Sequence, residues 1–507
     1  MTGSFEAALL VGALVLLVAV VAVRFSTRLG LPSLLVYLAL GMMLGESGFG
    51  IQFDDADLTR ILGTVALVLI IAEGGLTARW SSLRPSLGIS ATLATAGVMI
   101  SVAIVGGVLH LLLGLDLPTA LLYGAVLSST DAAAVFSTLR RLRLRPRLVA
   151  ILEAESGIND APAVLLVVLL ATAATSAAAP HPLWWDALLF VYELAVGTLI
   201  GLVVGFTGRW LLRRAALPSA GLYPIAAVGL TLIAYAGGAV VHASGFIAVY
   251  VAGVLIGNAR LPHRQAILGF ADGIAWLSQI GLFVLLGLLA SPSRLPEAIV
   301  PAVIIGLTLV LLARPVSVFL SVLPFRWTTP VTLREQAFLS WAGLRGAVPI
   351  VFATIPLSLA VPGAEELFDV VFVLVVIFTL VQASTLPPIA RRLGVTAGAE
   401  PTELRVETAP LERMRADLLQ LDVPAESNLV GVHLDELRLP TGAVVTMVQR
   451  GETGFVPTPS TRIKAGDGLL IVASDQVREA TVRRLRAVSR RGRLARWFGE
   501  NGADMGD

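Results

Sequence analysis

The chain has 507 residues, 56% of them hydrophobic and only 14% charged, which excludes an ordinary soluble protein. It has no cysteine, which excludes disulfides, thiolate nucleophiles and cysteine-ligated metals, and five histidines leave little room for a histidine metal cluster. A formal charge of +2 argues against nucleic acid as a partner, and the composition is that of a polytopic membrane protein whose first partner is the lipid bilayer.

Apolar runs near spanning length recur from residue 5 to about 392 and then stop. Thirteen are expected: roughly 5–23, 31–45, 58–78, 87–113, 117–139, 148–174, 186–208, 219–241, 244–257, 271–290, 298–322, 333–356 and 367–390. The first lacks a basic front region and has Arg24 and Arg28 behind it, as an N-out anchor would and a cleavable signal would not. Connections after odd-numbered spans carry seventeen arginines, Arg314 counted among them, against Arg60 and Arg294 after even-numbered spans. That asymmetry predicts an external N-terminus and a cytoplasmic C-terminal region, in the inner membrane. Thirteen spans divide as six, one and six, the plan of two inverted six-helix repeats around a linking span.

A charged residue deep in a span costs about 2.5–3.5 kcal/mol, so each needs a reason. The fifth span carries Ser128, Ser129, Thr130 and Asp131 at its centre, and the twelfth carries Gly343, Arg345, Gly346 and Pro349. Both are expected to be helices broken at mid-membrane, where freed backbone carbonyls can ligate a cation. The sixth span reads EAESGINDAPAVLL. Ser156 and Asp160 share one helical face, expected to point at a cation across from Thr130 and Asp131. Glu155 and Asn159 lie one step around; Glu155 is expected to pair with Arg345, and Asn159 to bond the broken fifth helix. Glu73, near the cytoplasmic end of the third span, either lines an entry path or is a plain interfacial glutamate. Glu153, Glu193 and Asp272 lie near span ends, where snorkelling suffices to explain them.

These residues resemble the monovalent cation:proton antiporters of the CPA1 group. The matching motifs are Glu155-Ser-Gly-Ile-Asn159-Asp160, Thr130-Asp131 and Gly343-Leu-Arg345-Gly-Ala, with Glu73-Gly-Gly-Leu as a weaker match. Pro162, two residues after Asp160, resembles the NhaP2-type potassium/proton subgroup. The resemblance covers roughly residues 5–392. It implies that Asp160 is the shared site of cation and proton, with Asp131, Thr130 and Ser156 as further ligands of the monovalent metal ion and Glu73 acting through water. Asn159, Glu155 and Arg345 are implied as its structural support, and a homodimer as the assembly. A buried carboxylate has its proton affinity raised by desolvation, so proton and cation compete for one negative charge. With one titrating carboxylate and no lysine within the spans, exchange is expected to be one-for-one and electroneutral, since arginine does not release its proton. Transported potassium or sodium and protons are the expected ligands, potassium favoured, with no cofactor.

After a linker at 393–403, residues 404–475 read as a small α/β domain. LLQLDVP is expected as a strand, LVGVHLDELRLP as a short helix, AVVTMVQRGETGFVPT as a hairpin and TRIKAGDGLLIVAS as a turn and strand. AGDGLLIV and LVGVHLDELRLP resemble the C-terminal subdomain of the RCK (TrkA-C) type, which implies dimerisation and a small regulatory ligand, a nucleotide among the candidates. Residues 476–507 read as a basic tail, either a helix on anionic lipid or solvated. A cation channel gated by such a domain is the alternative from another class, disfavoured by the lack of a TVGYG-type filter. A proton-coupled symporter of organic solutes lacks the extra midplane polar residues it would need. Enzyme chemistry lacks a nucleotide loop, a nucleophile triad or a metal cluster.

Overall fold

A computed structural model describes residues 2–29, 32–45, 48–51, 53, 55–130, 144–175, 183–396, 406–411, 416–451, 453–474, 476–495 and 497. The chain divides into two compact units, Met1–Thr396 and Ala397–Asp507.

In lipid every backbone N–H and C=O must be satisfied within the chain, so the apolar runs of the first unit become helices. They are α1 (Thr2–Leu29), α2 (Ser33–Leu44), α3 (Ala56–Thr77), α4 (Trp80–Leu113), α5 (Leu117–Val126), α6 (Pro146–Thr175) and α7 (Leu183–Arg214). After these come α8 (Leu222–Val240), α9 (Gly245–Gly257), α10 (Arg264–Leu289), α11 (Leu295–Phe325), α12 (Leu333–Trp341), α13 (Ala347–Ser358) and α14 (Ala364–Leu393). Among the described residues, eight are long and apolar enough to cross a membrane, and five shorter apolar helices occupy the remaining expected positions. Polar residues set the ends: Asp55 accepts the Leu58 N–H at 2.8 Å to start α3, and Thr332 and Glu335 close a reciprocal capping box at the start of α12.

The helices sort into two groups. α2, α3, α7, α8, α9 and α10 pack on one another as a panel, with α1 against α2. α4, α5, α6 and α11–α14 form a bundle, which meets the panel where α3, α9 and α10 face α6 and α13. Within the panel, Gly197, Gly201 and Gly205 recur every four residues along α7, and Ser244, Ala248 and Ala252 of α9 fill the space a side chain would take. Small residues at that spacing let two backbones approach closely where lipid supplies no hydrophobic drive.

One expected break is present, and the fifth span stops being helical where expected, its remainder lying outside the described residues. α5 stops at Val126, and Leu127–Thr130 continue without helix. The twelfth span is split between α12 and α13 by Ala342–Gly346. Asp131 lies outside the described residues. One unexpected irregularity lies in α11, where Leu309–Ala313 form a π turn immediately before Arg314-Pro315. Pro315 has no N–H to donate back into the helix, and the wider turn accommodates that loss.

The second unit holds a five-stranded sheet of order β1-β2-β5-β3-β4, with β1 Val406–Leu411, β2 Ala416–Asp422, β3 Ala443–Arg450, β4 Thr453–Phe455 and β5 Gly468–Ser474. Every pairing is antiparallel. Two expectations are corrected here. LVGVHLDELRLP is not a helix beyond one 3₁₀ turn at Asp435–Leu437, because Gly431 turns at φ +89° and Gly431 N–H and Leu434 N–H bond to Ile463 O and Thr461 O. Nor does the domain end at 475: helix α15 (Arg478–Arg491), assigned to the basic tail, buries Leu485 and Val488 against Leu419, Leu469 and Ile471. Thr481, Leu485 and Val488 share one helical face and this stripe completes the core, while Arg483 is exposed and Arg484 donates to the Leu437 carbonyl at 2.7 Å.

Candidate ion-binding site

α6 carries Ser156, Asn159 and Asp160 into the bundle, all three buried, opposite the residues that follow the end of α5. Ser156 Oγ donates to the Thr130 carbonyl, and Asn159 Nδ2 donates to Thr130 Oγ1 at 2.6 Å. Thr130 Oγ1 and Ser156 Oγ are 3.3 Å apart. The helix that bears the aspartate therefore holds Thr130 by both its carbonyl and its hydroxyl. Asp160 Oδ1 accepts a hydrogen bond from Ser129 Oγ, a contact the sequence reading missed. Three consecutive hydroxyl residues at a helix break were its only signal.

The expected Glu155–Arg345 ion pair is not what forms. Glu155 is gripped by Arg314 of α11, whose Nη1 lies 2.5 Å from Oε1 and Nη2 3.1 Å from Oε2. Both residues are buried. Arg314 was counted among the loop arginines, but the π turn and Pro315 place it inside the bundle, and Gly343 makes room for it. A Cβ on Gly343 would lie 2.6 Å from Arg314 Nε.

Arg345 serves the break itself. Its Nη1 donates to the carbonyls of Ser128, at 2.9 Å, and Ser129, and its own carbonyl accepts from Thr379 Oγ1 of α14 at 2.6 Å. The C-terminal end of α5 presents free carbonyls and the negative pole of the helix, and a guanidinium is a suitable cap for both. Arg345 Nε and Nη2 and Asn159 Oδ1 have no hydrogen-bond partner among the described residues. Glu73 sits half-buried on α3, within electrostatic reach of Glu153 on α6, and Glu153 also feels Arg79. The structure thus brings together Thr130, Ser156, Asn159 and Asp160, with Ser129 and Arg345, and assigns Glu155 a different cation.

In the second unit the AGDG turn, with Gly466 at φ +78°, delivers Asp467 inward, where Arg450 grips it bidentately at 2.8 and 2.7 Å and the Lys464 N–H donates at 2.8 Å. Burial alone would raise the Asp467 carboxyl, but the hydrogen bonds from Arg450 and the Lys464 backbone hold it below the usual carboxylate range.

A helix broken at mid-span, and a second that ends short of its span, beside a helix that carries buried Ser, Asn and Asp have the character of a secondary ion transporter. The chain belongs to the sodium/hydrogen exchanger family, whose transmembrane region matches residues 13–392, and it is a monovalent cation:proton antiporter. A TrkA-C domain matches residues 418–486, which includes most of α15. Among its relatives, the K(+)/H(+) antiporter NhaP2 of Shewanella baltica is 36% identical over 502 residues, covering 98% of this chain and 86% of that protein. The K(+)/H(+) antiporter NhaP of Alkalimonas amylolytica is 35% identical over 503 residues, covering 97% and 86%. The sodium proton antiporter MjNhaP1 of Methanocaldococcus jannaschii shares the fold, with a TM-score of 0.65 at 22% identity over 75% of this chain and 97% of that one.

Proposed function

We propose that this antiporter exchanges potassium for protons, one for one, with Asp160 as the carrier of both. The observation that carries the reading is the buried Asp160 carboxylate set against the non-helical residues that follow α5, beside the oxygens of Ser129, Thr130 and Ser156. A proton and a cation compete for that one charge, and exchange follows if the site changes its exposure only when occupied. Thr130 and Ser156 supply further oxygens, Asp131 follows Thr130 directly in the chain, and Glu73 acts from α3 through water. Asn159, the Glu155–Arg314 pair and Arg345 hold the helices in place. The names of the relatives support potassium. The arginine asymmetry supports an external N-terminus and a cytoplasmic C-terminal domain. That domain regulates exchange in response to a small ligand and assists assembly of a homodimer.

The test uses everted membrane vesicles from a host without its own antiporters, acidified inside and followed with a pH dye. Potassium should dissipate the gradient more than sodium does, and Asp160→Asn, present in the membrane at normal level, should abolish the response. An unchanged response in Asp160→Asn refutes the carrier assignment. A response driven by voltage at zero ion gradient refutes the one-for-one stoichiometry.

A further inference from the structure

α15 keeps its arginines in register as well as its apolar stripe. Arg483, Arg486 and Arg490 recur at i, i+3 and i+7, so they line one face of the helix within about 10 Å of its length. That face lies opposite the stripe of Thr481, Leu485 and Val488 that enters the core. Arg483 is exposed, and Arg486 and Arg490 are half-buried. Glu479, one turn ahead of Arg483, is the one acidic residue against six arginines in the helix. Neighbouring arginines serve the domain itself: Arg478 pairs with Asp417, Arg493 with Glu436, and Arg484 with the Leu437 carbonyl. The chain past the helix is also held. Gly492 turns at φ +67° with its N–H on the Val488 carbonyl, and Ala495 is fully buried, its N–H donating to the Gly492 carbonyl at 3.0 Å. Leu494 and Trp497 are left 54% and 86% exposed just beyond the basic helix.

We propose that this surface docks the C-terminal domain on the anionic lipid of the membrane that holds the first unit. Arg483, Arg486 and Arg490 lie over the lipid phosphates, and Leu494 and Trp497 enter the headgroup layer. Guanidinium groups hold phosphates by charge and by paired hydrogen bonds. An indole, apolar in body with one polar N–H, is at home at headgroup level. The outer arginine face and the two exposed apolar side chains thus match the two layers a lipid surface presents.

Chain length favours the same partner. The first unit ends at Thr396 and β1 starts at Val406, and the nine residues between can span at most about 30 Å even fully extended. The domain therefore cannot leave the neighbourhood of the bilayer, and lipid meets it at a high effective concentration. A second copy meeting this face symmetrically would set arginine against arginine, which charge disfavours. Docking requires neither the potassium assignment nor Asp160, so it stands apart from the reading of the ion site.

The chain has no cysteine, so one introduced cysteine takes a nitroxide label at a single site. The full chain carrying Leu494→Cys, or Val456→Cys after β4 as a control, is reconstituted in phosphatidylcholine vesicles with increasing fractions of phosphatidylglycerol. Contact with lipid is read from the label's collisions with oxygen, which partitions into lipid, against those with a water-soluble nickel chelate. The label at 494 should enter lipid as phosphatidylglycerol is added and stay in water without it, while the label at 456 stays in water throughout. Raising the salt from about 0.1 M to about 1 M should release the 494 label. At the lipid composition that docks half of the otherwise unmodified protein, Arg483→Gln should weaken docking about fivefold, and Arg483→Gln/Arg486→Gln/Arg490→Gln about a hundredfold. Replacing the same three by lysine should keep most of the docking, which separates lost charge from lost folding. A 494 label in water at every composition overturns the proposal, as does lipid entry by the 456 label instead. Equal shielding of the 494 label in both lipids, insensitive to salt, also overturns it, because protein, such as a second copy, then covers this face. If the triple variant does not fold, Arg483→Gln decides alone, and docking unchanged there overturns the proposal equally.

Discussion

Replacing Arg314 by methionine should be among the most damaging single changes in the membrane unit. Arg314 gives Glu155 two charge-assisted hydrogen bonds, at 2.5 and 3.1 Å, and a longer one at 3.4 Å to the Leu339 carbonyl. The pair lies almost wholly out of solvent. Arg314→Met keeps most of the side-chain volume but strands the carboxylate, at a cost of about 3–5 kcal/mol. Glu155→Gln alone strands the guanidinium at a similar cost. The double variant leaves neither charge exposed to a dry interior, so it should be markedly less damaged than the sum of the singles, with a coupling of about 2–3 kcal/mol. Arg345 makes its described bonds to the carbonyls of Ser128 and Ser129, so the Glu155→Gln/Arg345→Met cycle should couple by less than about 1 kcal/mol. Unfolding of the purified protein in detergent, followed by tryptophan fluorescence, measures both cycles. Additivity between 155 and 314, or stronger coupling between 155 and 345, would refute the pairing.

Gly343→Ala should destabilise the same region by about 1–3 kcal/mol, because the new Cβ would lie 2.6 Å from Arg314 Nε. Combining it with Arg314→Met, which removes the obstructing guanidinium, should recover part of the loss in the same unfolding assay. In the C-terminal domain, Asp467→Asn replaces a fully buried carboxylate that receives two bonds from Arg450 and one from the Lys464 N–H. The loss should be about 2–3 kcal/mol, read as faster hydrogen exchange of the β2–β5–β3 amides in the full-length protein. The Asp467 carboxyl is held below its ordinary range, so its contribution is present above the unfolded value, about pH 4, and is lost as pH falls through the depressed folded value. Wild type should therefore lose protection in these strands on acidification below about pH 4, and Asp467→Asn should lack that component.

The membrane helices were legible because lipid allows few answers: a long apolar run must be a helix. The break between α12 and α13 was legible from Gly343-Leu-Arg-Gly and the end of α5 from Ser128-Ser129-Thr130, and the bond of Asn159 to Thr130 from its place one step around α6 from Ser156 and Asp160. What was not legible is which arginine meets Glu155. Two arginines lay within reach of a span, and only the tertiary arrangement of the π turn and Gly343 selects Arg314. The Arg-Pro pair inside the apolar run 298–322 was the available clue, since an arginine there can reach no interface easily. The task of Arg345 depends on where the α5 carbonyls end, which no spacing in the sequence encodes. In the C-terminal domain, the opposite error arose from composition. The density of arginine after residue 478 hid the stripe Thr481, Leu485 and Val488 that seats α15 in the core.

The bonds around Thr130 and Arg345 also set the mechanics of transport. Ser156 and Asn159 fasten the end of α5 to α6, Arg345 fastens it to the start of α13, and Thr379 fastens Arg345 to α14. Sliding α5, α6 or the residues before α13 past the others would sever several buried bonds at once. Where α6 passes α9, by contrast, Gly157 lies flat against the ring of Tyr250, and where α3 passes α13, Gly63 rests on Val351. A glycine against an apolar face is a smooth bearing surface, with no side chain on one side to interlock. Moving the site relative to the panel should therefore cost least if α5, α6, α13 and α14 move together, with the oxygens around Asp160 keeping their places relative to one another.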